Sequence, residues 1–226
     1  MPTLLLSGAN RGIGLEYARQ YLGDGWRVHA CCRFPDRAKD LKALEGDLHV
    51  HKMDVTDALQ VANLARELRE EPLDLLINNA GVYGARSGFG EQDFEAWAET
   101  LQINLLAPMR VVEAFLPLLE KSETPRIVNM SSRLGSIELN DGGGSYPYRT
   151  SKAALNMVTK NLSVDLAEKG VIVVSVHPGW VETDMGGSSA PLAVEDSVSG
   201  LRQLIASLEA EHSGRFFTFE GDELPW

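Results

Sequence analysis

The sequence predicts an α/β domain with a doubly wound, mostly or wholly parallel sheet of seven strands and helices on both faces. Short apolar runs of strand length alternate along the chain with longer segments whose apolar residues recur at helical spacing. The run Val171–Val176 is apolar without regular alternation, as expected of a strand that is buried on both faces of a parallel sheet. Because neighbouring parallel strands need a crossover between them, the strand–helix alternation indicates a parallel sheet covered by its own helices.

Length and charge narrow the class of protein. The 226 residues suffice for one domain with a sizeable core, and we expect residues 1–226 to form a single domain. A net charge of −11 argues against nucleic-acid and anionic-membrane partners, which require basic patches. No apolar run approaches the roughly 20 residues of a membrane span, and no basic region precedes the first apolar run, so we expect a cytoplasmic protein. The five histidines and two adjacent cysteines lack ligand spacing, so no metal site is predicted.

Seven strands and five long helices are expected in chain order. Thr56 is the expected cap of the second helix, and Pro147 is expected at the first position of the helix that carries Tyr148. His49 and His51 are expected to line one face of their strand. The predicted strands are Thr3–Ser7, Trp26–Cys32, Leu48–Met53, Leu73–Ile77, Pro125–Met130, Val171–Val176 and Arg215–Phe219; the predicted helices follow Gly14 and span Asp57–Glu70, Asp93–Glu120, Tyr148–Glu168 and Val194–Leu208.

A glycine-rich turn separates the first predicted strand from the first predicted helix. Glycines let a backbone approach a pyrophosphate closely, and a helix N-terminus favours anionic charge, so this context indicates a dinucleotide site. The spacing Gly-x-x-x-Gly-x-Gly differs from the Gly-x-Gly-x-x-Gly fingerprint, and a structural turn without a ligand is the alternative. The predicted cofactor contacts in this turn are Gly8, Asn10, Arg11, Gly12, Ile13 and Gly14.

Arg33 directly follows the second predicted strand, at the point that faces the adenosine ribose in a dinucleotide fold. An acidic residue there would bind the 2′-hydroxyl of NAD. A guanidinium group instead suits a 2′-phosphate, and Arg11 is a candidate second cation, so we predict NADP(H). The alternative is that Arg33 is a solvated loop residue.

Tyr148 and Lys152 are four residues apart on one predicted helix and therefore share a face. A phenol with a pKa of about 10 is a poor acid or base near neutral pH, but a fixed ammonium group favours the phenolate and moves that pKa toward the working range. The pair therefore indicates acid–base chemistry. A helix-face pair without chemical importance is the alternative, which only the remaining motifs can outweigh.

These motifs occur with others in a fixed order along the predicted elements. On them the chain resembles the short-chain dehydrogenase/reductase family over almost its whole length. Residues 148–156 and the ending 221–226 look like the sniffer-like carbonyl reductase and C-factor group of that family. The motifs that carry the resemblance are Gly8-x-x-x-Gly12-Ile13-Gly14, Asp54, Asn78-Asn79-Ala80-Gly81, Asn104, Ser132, Tyr148-x-x-x-Lys152 and Pro178-Gly179.

The resemblance implies a Rossmann-type domain that binds NADP(H), and a catalytic set of four residues. Tyr148 would give a proton to the carbonyl oxygen while the cofactor supplies the hydride, and Ser132 would hydrogen-bond the same oxygen. Lys152 would bind the nicotinamide ribose and tune Tyr148, and Asn104 would hold a water that links Lys152 to solvent. Further implied cofactor contacts, beside Tyr148 and Lys152 themselves, are Asp54, Val55, Asn79, Ala80, Gly81, Pro178, Gly179, Val181 and Thr183.

Two departures from the family pattern concern the substrate side. The interval between Ser132 and Tyr148 is a few residues longer than usual, with Gly142–Gly144 as the expected insertion. The segment at 186–193 is short for a substrate lid, which implies an open cleft and broad or bulky carbonyl substrates. Competing residues are Ser131, Ser136 and Ser145 for Ser132, and Tyr146 for Tyr148; the expected pocket wall comprises Tyr83, Leu134, Ile137, Tyr146, Trp180 and Met185.

The expected activity is NADPH-dependent reduction of a ketone, aldehyde or quinone. A dinucleotide-binding signalling protein with incidental turnover is the alternative, because part of the C-factor group is associated with intercellular signalling. An α/β domain without a site would leave the four catalytic side chains unexplained. Family members pair through the helices that carry Asn104 and Tyr148, so a homodimer or homotetramer is also implied; the apolar residues expected to contribute are Leu105, Met109, Leu155, Val158 and Leu162.

Overall fold

The computed structural model describes residues 1–86 and 88–226. Its strands are β1 (Thr3–Ser7), β2 (Arg27–Cys32), β3 (Leu48–Lys52), β4 (Leu75–Asn78), β5 (Arg126–Met130), β6 (Ile172–His177) and β7 (Phe216–Thr218). They form one sheet in the order β3-β2-β1-β4-β5-β6-β7, in which every neighbouring pair is parallel. The predicted doubly wound, seven-stranded parallel sheet is therefore confirmed.

Helices cover the two faces of the sheet over separate apolar cores. The helices are α1 (Gly12–Gly23), α2 (Lys39–Lys42), α3 (Ala58–Glu67), α4 (Phe94–Leu101), α5 (Ala107–Leu119), α6 (Tyr146–Asp165) and α7 (Val194–Ser207). In β1, Leu4 and Leu6 point into the core under α1 and α7, whereas Leu5 points into the core under α3, α5 and α6. This strand is buried on both faces, which explains its unbroken apolar run.

The strand order reverses between β1 and β4, and hydrogen bonds join the carboxyl ends of these two strands. The Ser7 hydroxyl accepts hydrogen bonds from the N–H groups of Asn79 and Ala80, both at 3.0 Å. The Asn79 amide donates to the carbonyls of Ser7 and Gly8 at 3.0 and 3.1 Å. A reversal of this kind opens a crevice beyond the strand ends, where ligands of open α/β sheets bind.

Two predicted helix features are wrong in detail. Asp57, not Thr56, caps α3, because the Asp57 carboxylate accepts from the N–H groups of Leu59 and Gln60 at 2.9 and 3.1 Å. The expected single helix at 93–120 is divided by a π-helical segment, Gln102–Leu106, in which the Ala107 N–H bonds the Gln102 carbonyl. Pro108 has no N–H for the Asn104 carbonyl, so regular α-helical bonding cannot continue through this point.

Buried leucines overturn part of the expected interface. Leu155 and Leu162 are 1% and 5% exposed, so both belong to the core of the monomer. Their helical spacing reflects the packing of α6 within the monomer and not a contact with a partner subunit. The apolar residues exposed on this side, among those the structure describes, include Leu106, Met157 and Val164.

One helical run within the described residues, Phe94–Leu119, is long and apolar enough to meet the criteria for a membrane span, with a mean hydropathy of 1.2. Its residues Val111, Val112 and Phe115 are fully or almost fully buried in the core. Buried core helices meet the same criteria.

Three imidazoles gather on one face of β2 and β3. His29 Nδ1 lies 3.0 Å from His51 Nε2, and His29 Nε2 lies 3.2 Å from a Glu71 carboxylate oxygen. The rings of His49 and His51 are stacked, so the prediction that they share a face is confirmed. Burial lowers the pKa of His29 to about 4, the neighbouring His51 and His49 add to this shift, and Glu71 opposes it. Across the described residues, no group of three or more His, Cys, Asp or Glu side chains is arranged to hold a metal ion.

The depressed pKa of His29 predicts a loss of stability in acid. Because its pKa is lower in the folded than in the unfolded state, the unfolded chain binds the extra proton between pH 6.5 and 4, and the free energy of unfolding falls as the pH falls. At about 1.4 kcal/mol per pKa unit, we expect roughly 2 to 3 kcal/mol to be lost. Urea unfolding at pH 7, 5.5 and 4 measures this, and His29→Gln should flatten the dependence whereas His212→Gln should not. Equal slopes in all three proteins would contradict the assignment.

Candidate active site

A cleft of about 730 Å³ opens at the carboxyl ends of the strands, where the strand order reverses. Most predicted cofactor contacts line it: Gly8, Asn10, Arg11, Gly12, Ile13, Gly14, Arg33, Asp54, Val55, Asn79, Ala80, Gly81, Tyr148, Lys152, Pro178 and Thr183. Gly179 and Val181 do not line it. A Cβ at Gly179 would meet Leu192 before α7 and Phe219 after β7. Val181 is 4% exposed and pairs with Leu192 in an isolated parallel bridge.

The glycine turn is a closely packed concave turn, here called the cradle, that has no room for side chains. Gly8 and Gly12 have left-handed φ angles of 68° and 52°. A Cβ at Gly14 would fall on the Gly8 carbonyl oxygen and 2.7 Å from the Asn79 amide nitrogen. The turn then leads directly into α1, whose free N–H groups favour an anion. The residues present therefore fit a dinucleotide pyrophosphate.

Two glycines in α1 offer a matched test of the cradle. Gly14→Ala should cost about 1 to 3 kcal/mol of stability and weaken NADPH binding at least tenfold, because the turn must open to admit the methyl group. Gly23→Ala, with no atom within 4 Å of its added Cβ, should leave both quantities unchanged or slightly improve stability. Thermal unfolding and NADPH fluorescence titration measure the two effects. Wild-type affinity in Gly14→Ala would contradict the cradle.

The cations of the adenosine side are arranged differently from the prediction. Arg33 and Arg37 both lie against the ring of Phe34, at 5.9 and 5.2 Å from its centroid, and all three residues line the cleft. Arg11 instead pairs with Asp184 at 2.6 Å, which joins the glycine turn to the loop after β6. Arg37 is thus a second cation beside Arg33, and it was not among the predicted cofactor contacts. Its only signal is its place four residues after Arg33.

Tyr148 lies in the first turn of α6 and is 9% exposed. Burial raises the pKa of its phenol to about 12, while a hydrogen bond with the Ser132 side chain lowers it and Tyr83 raises it. The predicted displacement of this pKa toward neutrality by Lys152 is therefore wrong, because burial of the phenol moves its pKa in the opposite direction. The phenol is fully protonated near pH 7, as a proton donor must be.

Lys152 is buried with its Nζ atom donating to the Met130 carbonyl at 2.7 Å. The same atom lies 5.7 Å from the centroid of the Tyr148 ring. Burial lowers the pKa of Lys152 to about 8. The helical spacing of four therefore does bring phenol and amine together at the cleft, as predicted.

Of the four candidate serines, Ser132 is the one whose side chain acts on the phenol of Tyr148 and lowers its pKa. It lies close to α6 because the turn after it packs tightly: a Cβ at Gly135 would be 2.7 Å from the Lys152 Cβ. The other three serines hold structure, since Ser131 donates to Asn156, Ser136 accepts from the Leu139 N–H and Ser145 bonds Tyr83. The competing phenol, Tyr146, packs toward Trp97 of α4 instead.

Asn104 is fully buried in the π-helical segment, and its side chain is satisfied by protein groups. Its Oδ1 accepts from the Val82 N–H at 2.9 Å, while Nδ2 donates to the Val82 carbonyl at 2.8 Å and to Ser151 at 3.0 Å. The side chain therefore fixes the loop after β4 to α6. In a regular α-helix the Asn104 carbonyl would accept from residue 108, which is a proline and has no N–H to donate.

The substrate side is open. Among the expected wall residues, Ile137, Trp180 and Met185 are 77%, 57% and 42% exposed, and Tyr83 stacks directly on Tyr148. Lining residues that sequence reasoning did not assign include Cys32, Phe34, Arg37, Met53, Val82, Ile103, Met130, Ser131, Glu182 and Asp184.

Comparisons with known proteins agree with this geometry. The chain is 49% identical over 155 residues, 69% of its length and 93% of the relative's, to C-signal of Myxococcus xanthus. Its structure is similar to the carbonyl reductase Sniffer of D. melanogaster, with a TM-score of 0.95, 37% identity and full coverage of both chains. It is also similar to the NADPH-bound carbonyl reductase from chicken fatty liver, with a TM-score of 0.92, 35% identity and coverage of 100% and 99%. Since the short chain dehydrogenase family model also matches residues 2–193, the protein belongs to the short-chain dehydrogenase/reductase family.

Proposed function

We propose that the protein is a cytoplasmic carbonyl reductase that transfers hydride from NADPH to a ketone, aldehyde or quinone, with Tyr148 as the proton donor. The proposal rests on one observation: the Tyr148 phenol, whose pKa is lowered by the Ser132 side chain and whose ring centroid lies 5.7 Å from Lys152 Nζ, lies in the wall of the dinucleotide cleft. A protein that only bound the dinucleotide would not need this donor.

When bound, NADPH supplies the hydride. As negative charge grows on the carbonyl oxygen, Tyr148 gives that oxygen its proton, and the Ser132 hydroxyl donates a hydrogen bond to the same oxygen. The Lys152 ammonium group holds the ribose hydroxyls and stabilises the phenolate that remains on Tyr148. A water on the Asn104 carbonyl links Lys152 to solvent. Through this link, solvent returns a proton to Tyr148.

The choice of NADP(H) over NAD(H) is supported by the cations around Phe34. Arg33 and Arg37 bring two guanidinium groups to the adenosine side of the cleft, where a 2′-phosphate would accept bidentate hydrogen bonds. The similar carbonyl reductase from chicken fatty liver has NADPH bound.

The experiment that tests the proposal measures NADPH oxidation by wild-type protein over a panel of carbonyl compounds, such as trifluoroacetophenone, benzaldehyde and menadione. Turnover that depends on Tyr148 supports the reductase. NADPH binding without turnover on any class would instead support the second candidate, a dinucleotide-binding signalling protein, which the likeness to C-signal favours.

We further propose that the protein forms a homodimer or homotetramer through the helices that carry Asn104 and Tyr148. Leu106, Met157 and Val164 are 45%, 61% and 65% exposed on these elements. Their burial would remove apolar surface from water. Light scattering that detects only a monomer would contradict this assembly.

A further inference from the structure

The ring of Tyr83 lies flat against the ring of Tyr148. The two centroids are 4.5 Å apart and the ring planes differ by 14°. Tyr83 follows Val82, whose N–H and C=O groups are both bonded by the Asn104 side chain. The backbone from which Tyr83 projects is therefore fixed, and the stack is a built contact.

A hydrogen bond holds Tyr83 in this position. Its hydroxyl lies 2.9 Å from the Ser145 hydroxyl, on the residue that directly precedes α6. Among the described residues, Ser145 is the one non-glycine with a positive φ, 43°, and it follows Gly143 and Gly144 at 59° and 63°. A third glycine would take this left-handed conformation without steric cost. The chain instead places a hydroxyl at the strained position, and that hydroxyl bonds Tyr83.

Tyr83 is not an open platform for a planar substrate. The Arg86 guanidinium carbon lies 4.7 Å from the Tyr83 ring centroid. Since one face of the ring holds Tyr148, Arg86 occupies the other. A stacked substrate would have to displace one of these groups, so the geometry favours a role for Tyr83 toward Tyr148.

We propose that Tyr83 is a positioning residue: with Ser145 as its latch, it holds the plane of the Tyr148 ring and thereby keeps the phenolic hydroxyl in place beside Ser132 and Lys152. This inference rests on the proposed function, in which Tyr148 gives the proton. The titratable and charged groups that face Tyr148 are Tyr83 on the loop after β4, with Arg86 behind it, and Lys152 on α6 itself. Burial and Tyr83 both raise the pKa of Tyr148, whereas the Ser132 hydroxyl opposes them.

The test titrates Tyr148 by the ultraviolet absorbance of tyrosinate, taking each protein minus its Tyr148→Phe counterpart. Tyr83→Leu, which keeps apolar bulk but loses the stack, should ionise Tyr148 at least one pH unit lower than wild type and lower kcat about tenfold, with KM for NADPH unchanged. Tyr83→Phe keeps the stacked ring but loses the hydroxyl that bonds Ser145, so it should shift the titration about as much as Ser145→Gly and less than Tyr83→Leu. Ser145→Gly releases the latch at a position that suits glycine, so it should fold and shift the titration in the same direction as Tyr83→Leu, by less.

Superimposed titrations of Tyr83→Leu and wild type would overturn the inference, as would a Tyr83→Phe shift as large as that of Tyr83→Leu. If Tyr83→Leu does not fold, an unshifted Ser145→Gly titration overturns it. The proposed function fails separately, by full turnover in Tyr148→Phe. If Tyr148→Phe loses turnover but neither Tyr83→Leu nor Ser145→Gly shifts the titration of Tyr148, only the role of Tyr83 is contradicted.

Discussion

Tyr148→Phe is expected to lower kcat for carbonyl reduction by a factor of about 100 to 10,000, the usual contribution of a positioned general acid. The substitution keeps the ring that stacks on Tyr83 and removes only the phenolic proton and its bond to Ser132. Without that proton, the charge that develops on the carbonyl oxygen is met by Ser132 alone. Cofactor binding depends on the glycine turn and the cations, so the affinity for NADPH should stay within about twofold.

Tyr146→Phe is the matched control for this measurement. It removes a second phenol from the same turn of α6, two residues earlier, whose ring packs toward Trp97 and not toward the cleft. Stopped-flow hydride transfer separates chemistry from product release, which a steady-state assay alone cannot do. Equal losses in the two variants would show that α6 has been disturbed, and wild-type rates in Tyr148→Phe would remove the proton donor from the proposal.

The fold could be predicted from sequence because its strands carry their own signal. β1 is apolar at its three central positions, Leu4 to Leu6, and it is buried on both faces in the structure, so its pattern does not depend on which helix covers it. The caps and interruptions of helices were harder to predict from the sequence. Asp57 and Thr56 are both good capping residues, and which of them bonds the free N–H groups depends on where the chain turns. Pro108 indicates from the sequence that helical bonding is interrupted nearby, but not that the interruption takes the form of a π-helical segment at Gln102–Leu106.

At the site, likewise, relations fixed by local structure could be predicted from the sequence, whereas properties of the whole fold could not. Tyr148 and Lys152 meet because a spacing of four on a helix fixes their relation locally. Burial is a property of the whole fold, so the pKa of Tyr148 is raised where the sequence predicted that it would be lowered. The contacts Arg11–Asp184 and Tyr83–Ser145 join residues 173 and 62 positions apart, and neither residue pair has a sequence signal.

Arg33→Ala is expected to raise KM for NADPH about 10- to 100-fold and to leave KM for NADH nearly unchanged. Each charge-assisted bond to a phosphate is worth about 1.5 to 3 kcal/mol, and the 2′-phosphate is the one group that distinguishes the two cofactors. Arg37 lies against the same Phe34 ring as Arg33. Arg37→Ala should therefore shift the preference in the same direction, and the double variant should lose most of it.

Arg11→Ala separates the two anionic groups of the cofactor. Arg11 lies in the glycine turn and pairs with Asp184, away from the Phe34 cluster. Any contact it makes with the pyrophosphate is common to NADPH and NADH, so its loss should weaken both cofactors by a similar factor. Arg19→Ala, at an ion pair with Glu16 within α1, is the control for the change of net charge and should affect neither cofactor.

Salt dependence then distinguishes a direct phosphate contact from a general effect of charge. A direct contact made by Arg33 predicts that raising the ionic strength weakens NADPH binding to wild-type protein more steeply than NADPH binding to Arg33→Ala, because one screened ion pair is absent from the variant. The net charge of −11 repels both cofactors at long range and is changed equally by Arg19→Ala and Arg33→Ala. Identical salt slopes in wild type and Arg33→Ala, or equal losses of NADPH and NADH affinity in Arg33→Ala, would contradict a direct contact between Arg33 and the 2′-phosphate.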